Sequence, residues 1–396
     1  MISKRHVCYW LLLVFYAPLA LARTEDPPLL PTSFPLPLPQ AEELTRAVHV
    51  AIFVGRPSVS IRVGDPFEIR ATADQRLIFQ GKGPFEASIQ AQAQGIQVNS
   101  ETYEVDSFIL STKGESIQVG TKSYRGQIRI AKTPQNALTV VNEVDLEEYV
   151  KGVLPVEASA DWPMESLKAH AVVSRTFAVF KMIEKKSEPF ALRDTVLSQM
   201  YGGSLVHQQA TDQAVEATRG EVLTFKGQIF PAYFHAACGG RTADADLIWP
   251  VEPHPTLKGR LCHFCQGTKH YQWTLEIPLA GVEEVMQKNG YPAKNLKHLS
   301  FLDRDASGRV RTVTLEYARS EVNIPAGDFR TFLGYDRLRS LKADVEIENG
   351  RAKFRGFGWG HGVGFCQWGA RGQAELGKSY QEILQFYFPA SDLTRT

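Results

Sequence analysis

Residues 152–180 read GVLPVEASADWPMESLKAHAVVSRTFAVF: Glu157 lies between Pro155 and Pro163, with Asp161 four residues on, and an almost wholly apolar or small segment follows. Trp162-Pro163 opens that segment with proline where a helix favours it, in the first turn. Met164, Leu167, Ala171, Ser174 and Ala178 fall on one stripe, while Val172 and Val179 face elsewhere, so two sides need cover and the helix is expected to be buried. Arg175, the only charge between Lys168 and Lys181, then requires an acceptor in partly dry surroundings. Upstream, the strand-like LTVVNEV (138–144) and the acidic DLEEY place Glu157 in a loop braced on both sides. The plainer alternative keeps Glu157 as a solvated loop acid and Arg175 as a snorkelling surface residue.

Working outward, the fold class is α+β: a mixed, strand-rich chain with a few helices. From Val48 to about Ala131, short alternating runs such as VSIRVG and FEIRAT are separated by Gly, Pro and Asn-Ser turns, a β-rich pattern. A helix is expected from His207 to Arg219, then strands EVLTF and IFPAYFH. Further strands follow in YQWTLEI, VRTVTLEYA and ADVEIEN, with a helix in GVEEVMQK. Ser379 and Glu382 form a capping-box pair for a last short helix. Residues 1–22 have the basic start, apolar run and Ala20-Leu21-Ala22 end of a signal peptide, so the chain is expected to be exported to the periplasm or cell envelope. Residues 23–46 form a proline-rich linker whose density of prolines disfavours helix and sheet. The expected organisation continues with a β-rich part over 47–135 and the remaining unit over 136–390.

Composition excludes some partners. Lys plus Arg number 44 against 43 for Asp plus Glu, a net charge of +1, so no basic field draws the chain to nucleic acid. GQAELGKS, residues 372–379, matches the phosphate-binding P-loop pattern, but no hydrophobic strand leads into Gly372. QAEL reads as helix, Gly377 as its stop and Ser379 as the next cap, so no nucleotide is expected.

Two further constellations carry chemistry. His235-Ala-Ala-Cys238 and Cys262-His-Phe-Cys265 supply an imidazole and three thiols in two close pairs, as a tetrahedral zinc site requires. His254, His263 and His270 are substitutes for the fourth ligand, and a disulfide from Cys238 to either later cysteine competes with the metal. Cys366 reads as a buried free thiol. In GWGHGVG, glycines let the backbone approach a ligand, Trp359 can stack on a sugar face, and His361 and Gln367 can bond hydroxyl or acetamido groups. A tight, packed turn around a core histidine is the alternative.

The blocks VNEVDLEEYVKGVLPVEASADWPMESLKAHAVVSRTFAVF, AYFHAACGGRTADADLIW and GFGWGHGVGFCQWGARGQAELGKSYQEIL closely resemble, in order, three blocks of the stage II sporulation protein D family, which also contains amidase enhancers. The likeness spans roughly residues 46–390. It implies a lytic transglycosylase that cleaves peptidoglycan glycan strands between N-acetylmuramic acid and N-acetylglucosamine, with Glu157 as catalytic acid and 136–390 as the catalytic unit. It further implies Arg175, Gln199, Tyr201, Trp359, His361 and Gln367 as substrate-binding residues. Some relatives carry a metal near Cys238. The alternative from the same resemblance is a noncatalytic glycan-binding enhancer of a cell-wall amidase.

Overall fold

Pro155 does not break the segment it sits in. The computed structural model describes residues 36–37, 47–291 and 295–395, and in it helix α1 runs Leu146–Glu157 straight through the proline. Asp145 caps it, accepting from the N–H groups of Glu147 and Glu148 at 2.9 and 3.2 Å. Pro155 lies in the last turn, where its missing N–H forfeits a single helical bond. Glu157 therefore stands at a helix C-terminus and not in a loop, because the helix ends only when Ala158 turns extended and donates to Leu154. The leader expected over 1–22 lies outside the described residues. So does the linker over 23–46 apart from Leu36–Pro37.

That exception is itself a difference from expectation. Leu36–Pro37 pairs antiparallel with Gln228–Ile229, adding an edge to the sheet of Glu221–Phe225 and Asp392–Arg395. An edge strand tolerates proline because one side of it needs no donor.

Helix α2, Met164–Glu184, follows from a polar turn, and every residue from Ala169 to Lys181 is buried. It packs against α1, α3 (Gln209–Ala217), the strand Glu221–Phe225, and the two C-terminal helices described below. Fully burying side chains such as Leu167, Val172 and Phe180 contributes about 1.5–3 kcal/mol each. The all-round apolar pattern thus produces the central helix it predicts.

Two sheets occupy the N-terminal part. One has six strands in the order Lys122–Tyr124, Ile117–Val119, Ser58–Val63, Phe85–Gln92, Gly95–Val98, Glu101–Tyr103; the other has seven, with Val48–Arg56, Leu138–Val144 and Gln127–Lys132 at its centre. Ser58–Val63 alternates exposed and buried without a fault, as its sequence does. Leu138–Val144, beyond residue 135, pairs on both sides with strands from before it, Gln127–Lys132 and Val48–Arg56, so the sheet runs across the expected boundary. The two sheets and α1–α3 share one hydrophobic core.

After the short α4 (Ala245–Ile248), the chain inserts a unit with a core of its own. In it Gln272–Pro278, Arg351–Phe357 and Ala343–Glu348 form one sheet, and Leu296–Arg304, Val310–Tyr317 and Glu321–Pro325 another. Helices α5 (Leu279–Lys288) and α6 (Ala326–Leu333) pack on them. Its entry and exit strands are paired, Trp273 opposite Gly356, so the chain leaves close to where it came in. Helix α7 (Gln367–Glu375) and helix α8 (Tyr380–Tyr387) follow; the Ser379–Glu382 capping box is present, and Gly377 at φ +82° separates the helices. Among the described residues no helix is long and apolar enough to cross a membrane.

The helices are tied at one buried ion pair. Arg175 is 0% and Glu147 5% exposed, and they meet through two bonds, Nε to Oε1 at 2.9 Å and Nη2 to Oε2 at 2.6 Å. Arg175→Met or Glu147→Gln alone should cost about 3–5 kcal/mol, read by urea denaturation, because each strands a buried polar partner. The double replacement Glu147→Leu with Arg175→Met should recover much of that loss. A single variant within about 1 kcal/mol of the parent would show that the pair does not tie the helices.

Candidate functional site

Three segments meet at the Glu157 carboxyl. The C-terminus of α1 delivers it, the Met200 N–H donates to Oε1 at 2.9 Å, and the Gln367 Nε2 donates to Oε2 at 3.1 Å. The side chain is half-buried, and burial raises its pKa above the usual 4.5 despite those two bonds, which favour the anion. The negative end of the α1 dipole acts in the same direction as burial. Among the described residues no charged neighbour contributes to the shift. The arrangement suits a carboxyl that gives up and regains a proton without a second acid.

His170, on the buried face of α2, stands behind this contact. Its Nε2 is 3.4 Å from Gln367 Nε2, and its ring stacks on Phe365 and meets Phe234 edge-on. Burial pushes its pKa down to about 3, so the imidazole is neutral. Its signal in the sequence is an imidazole on an otherwise apolar helix face.

Of the residues expected to bind substrate, Gln367 reaches Glu157 directly. Arg175 does not reach the site: besides Glu147, its guanidinium donates to the carbonyls of Glu221 and Val215 at 3.1 and 3.2 Å, which leaves it no face for a ligand. Gln199 and Tyr201 are also buried. Gln199 accepts from the Tyr149 hydroxyl at 3.0 Å and the Tyr201 hydroxyl donates to Asn142 at 2.8 Å, so the two pin Met200 between them and fix the N–H offered to Glu157. His361 is a packed histidine. Its Nδ1 accepts from the Val363 N–H at 3.1 Å, its ring lies among Tyr233, His235 and Trp249, and burial holds its pKa well below 6.5. The neighbouring glycines serve the chain's own packing: a Cβ on Gly364 would lie 2.3 Å from the Tyr233 carbonyl.

Trp359 belongs to a row of half-buried rings. Trp162 meets Trp368 at 5.1 Å between centroids, Trp368 meets His270 at 5.5 Å, and His270 meets Trp359 at 4.8 Å. Arg339, Lys269 and Arg371 lie over these indoles. Trp368 follows Gln367, so the row begins beside Glu157. Near the acid's other neighbour lies an apolar hollow of about 340 Å³ lined by Val156, Met200, Tyr201, Leu205 and Val206.

The cysteines gather elsewhere than expected. Phe234–His235 pairs in parallel with Phe365–Cys366, which joins the second and third sequence blocks. That pairing makes Cys366, and not His235, the fourth member: the sulfurs of Cys238, Cys262, Cys265 and Cys366 all lie within 4.8 Å of one another, buried. His235 instead faces the Val363 carbonyl through Nδ1 at 3.1 Å. All four thiols are free, and the Cys238–Cys265 sulfur distance of 3.4 Å is far beyond a disulfide bond. Tetrahedral thiolates about 2.3 Å from an ion would be ~3.8 Å apart, so the cluster can hold a metal ion. Hydrogen bonds from Cys238 pull Cys265 toward thiolate, while burial pushes Cys366 up. Four buried thiolates require a cation to coexist. Spacing could not reveal Cys366, which is 101 positions beyond Cys265 and is brought in by the strand pairing alone.

Comparison with known proteins places these residues in context. A family model described as "Stage II sporulation protein" matches residues 134–225, and a domain of unknown function matches residues 262–364, which takes in the inserted unit. An uncharacterized protein of Brachyspira hyodysenteriae is 33% identical over 301 residues, 76% of this chain and 79% of its own length. The stage II sporulation protein D of Bacillus subtilis is 28% identical over 333 residues, covering 78% of this chain and 89% of that protein. The amidase enhancer of the same organism is 26% identical over 364 residues; the match takes in 76% of this chain and 49% of the enhancer, about half its length.

The raised Glu157 pKa predicts a stability effect of definite sign. The penalty is absent well below pH 4.5, where folded and unfolded carboxyls are both protonated. It grows as pH rises above that value and is complete above the folded pKa. Glu157→Gln removes it, so the variant should melt with the parent at low pH and above the parent beyond neutrality. A variant that melts below the parent at pH 8 would show that the carboxylate stabilises the fold.

Proposed function

Because this chain belongs to the stage II sporulation protein D and amidase enhancer family, we propose that it is a lytic transglycosylase of peptidoglycan. It cleaves glycan strands between N-acetylmuramic acid and N-acetylglucosamine and leaves 1,6-anhydro ends. The observation that carries this reading is the Glu157 carboxyl, raised in pKa and held by Met200 and Gln367 with no charged neighbour among the described residues.

Ordinary glycosidases need two carboxylates, one as acid and one as base or nucleophile. A single acid suffices when the nucleophile is the muramyl C6 hydroxyl. Protonated Glu157 gives its proton to the glycosidic oxygen as the bond to C1 breaks. The C6 oxygen then bonds to C1 and its proton passes to the Glu157 carboxylate, restoring the acid. Burial keeps the starting acid protonated nearer neutrality, while the Met200 and Gln367 donors stabilise the anion formed midway. Trp368 and Trp359 supply faces on which sugar rings stack.

In this reading the four cysteines hold a structural zinc ion, which supplies no chemistry to the reaction and fixes Cys366, hence its neighbour Gln367. The enzyme acts after export, in the periplasm or cell envelope, as the leader pattern of residues 1–22 suggests. A second reading, a noncatalytic enhancer of a cell-wall amidase, is favoured by the relative of that name. It is also favoured by Val156, Met200 and Leu205, whose exposed apolar side chains rim the hollow near Glu157 and suit a protein partner.

Metal analysis of purified protein should find about one zinc per chain, and Cys366→Ser should lose it as completely as Cys238→Ser. Retention by the Cys366 variant would return the fourth position to His235.

Glu157→Gln should reduce release of anhydro-muropeptides by about 10²–10⁴-fold while glycan pull-down is kept, since the amide matches the carboxyl in size but cannot relay the proton. Mass analysis of digested strands reads the outcome. Anhydro ends at the parent rate would remove Glu157 from the mechanism, and no such ends from the parent itself would favour the enhancer.

A further inference from the structure

The inserted unit reaches back to the four cysteines with two cations. Arg309, 1% exposed, donates from Nη2 to the Cys238 carbonyl at 3.0 Å, and from Nη1 to the Arg241 carbonyl at 3.2 Å and to Ser307 Oγ at 2.8 Å. Half-buried Lys342 donates from Nζ to the Gly239 carbonyl at 2.7 Å. Room for the guanidinium is built in: Gly362 has φ +88°, and a Cβ there would lie 2.1 Å from Arg309 Cζ. Among the described residues neither cation has a carboxylate at ion-pair distance. The Asp305 carboxylate acts on the Arg309 guanidinium through its charge alone: its Oδ1 is taken by the turn, accepting from Ser307 N, Ser307 Oγ and Arg309 N at 2.7, 2.6 and 3.0 Å.

Arg309, buried beside the thiols and committed to carbonyls, needs more anion than Asp305 supplies through the turn, since buried charge is costly, and half-buried Lys342 brings a second positive charge to the same point. Hydrogen-bond donors face two of the four sulfurs. Cys366 Sγ accepts from the N–H groups of Cys238 and Gly369 at 3.2 and 3.3 Å, and the Tyr387 hydroxyl lies 3.3 Å from Cys262 Sγ. Four thiolates around a divalent ion carry a net charge of about −2, which two cations cancel.

We propose that Arg309 and Lys342 are the counterions of a tetrathiolate metal centre, so that the inserted unit is held to the rest of the fold by the charge of that centre. This rests on the reading of the four cysteines as a metal site. It also accounts for the order of the chain: Cys262 and Cys265 precede the insert, Cys366 follows it, and the insert returns its own cations to the same point. Partners behind metal ligands typically set affinity by about 10–100-fold.

The test is zinc retention by the full chain in competition with a chelator. Arg309→Met and Lys342→Met should each bind zinc about 10–100-fold more weakly, whereas Arg309→Lys and Lys342→Arg should stay near the parent. A second readout separates charge balance from simple packing: the rise in melting temperature on zinc loading should shrink in the methionine variants, over and above whatever the metal-free Arg309 variant loses with its bonds to carbonyls. Parental zinc affinity in both methionine variants, or equal destabilisation with and without zinc, overturns the proposal. Should Arg309→Met not fold, half-exposed Lys342→Met carries both readouts. A parent chain that binds no zinc overturns the metal reading itself, and is told apart because the variants then have nothing to lose.

Discussion

The bond between Arg175 and Glu147 is the constraint around which the helical part is arranged. A guanidinium in the middle of a fully buried helix is admissible only where a carboxylate and further acceptors already wait. Here the carboxylate comes from the first turn of α1, and the acceptors are carbonyls at the end of α3 and the start of the next strand. The Gly220 N–H, which also donates to Glu147 at 3.1 Å, closes the set. Four segments must be in register for all these bonds to form together. Replacing the pair with hydrophobes can match its stability, so its contribution here is one of arrangement: with α1 fixed at its start, its far end can carry Glu157 only to one place.

At that place two opposing effects act on one carboxyl. Burial and the helix dipole favour the neutral acid; the Met200 and Gln367 donors favour the anion. Burial prevails, and the bonds moderate the result, so neither protonation state is far out of reach. The donors are themselves positioned from behind, Met200 by the buried Gln199 and Tyr201, Gln367 by His170 and by its neighbour Cys366. Through that last peptide the cysteine cluster and the acid belong to one construction, although no cysteine touches Glu157 in any contact described.

The inserted unit has its own core yet meets the parent fold through polar contacts, chiefly the carbonyls that Arg309 and Lys342 seek out. Its paired entry and exit strands let such a unit be accommodated without disturbing the strand pair Phe234–His235 with Phe365–Cys366. Pairing across that interval is what converts distant blocks of sequence into a single site.

The sequence by itself determined whatever depends on near neighbours along the chain. It determined the α+β class, the alternating strands, the all-round burial of α2, the capping box at Ser379, and the helical context that disqualifies GQAELGKS, because periodicity and caps are local physics. It also singled out Glu157 and Gln367, through the blocks that resemble a known family. Only the tertiary structure decided which polar residues gather at Glu157 and which pack away from it. Arg175, Gln199, Tyr201 and His361 carry the same groups in either case, and burial against partners tens of positions away turned them inward. In the same way, strand pairing over 130 positions put Cys366 where His235 was expected. The reason is common to all: local pattern states what a side chain can bond, whereas the partner it finds depends on long-range register, which no short window of sequence contains.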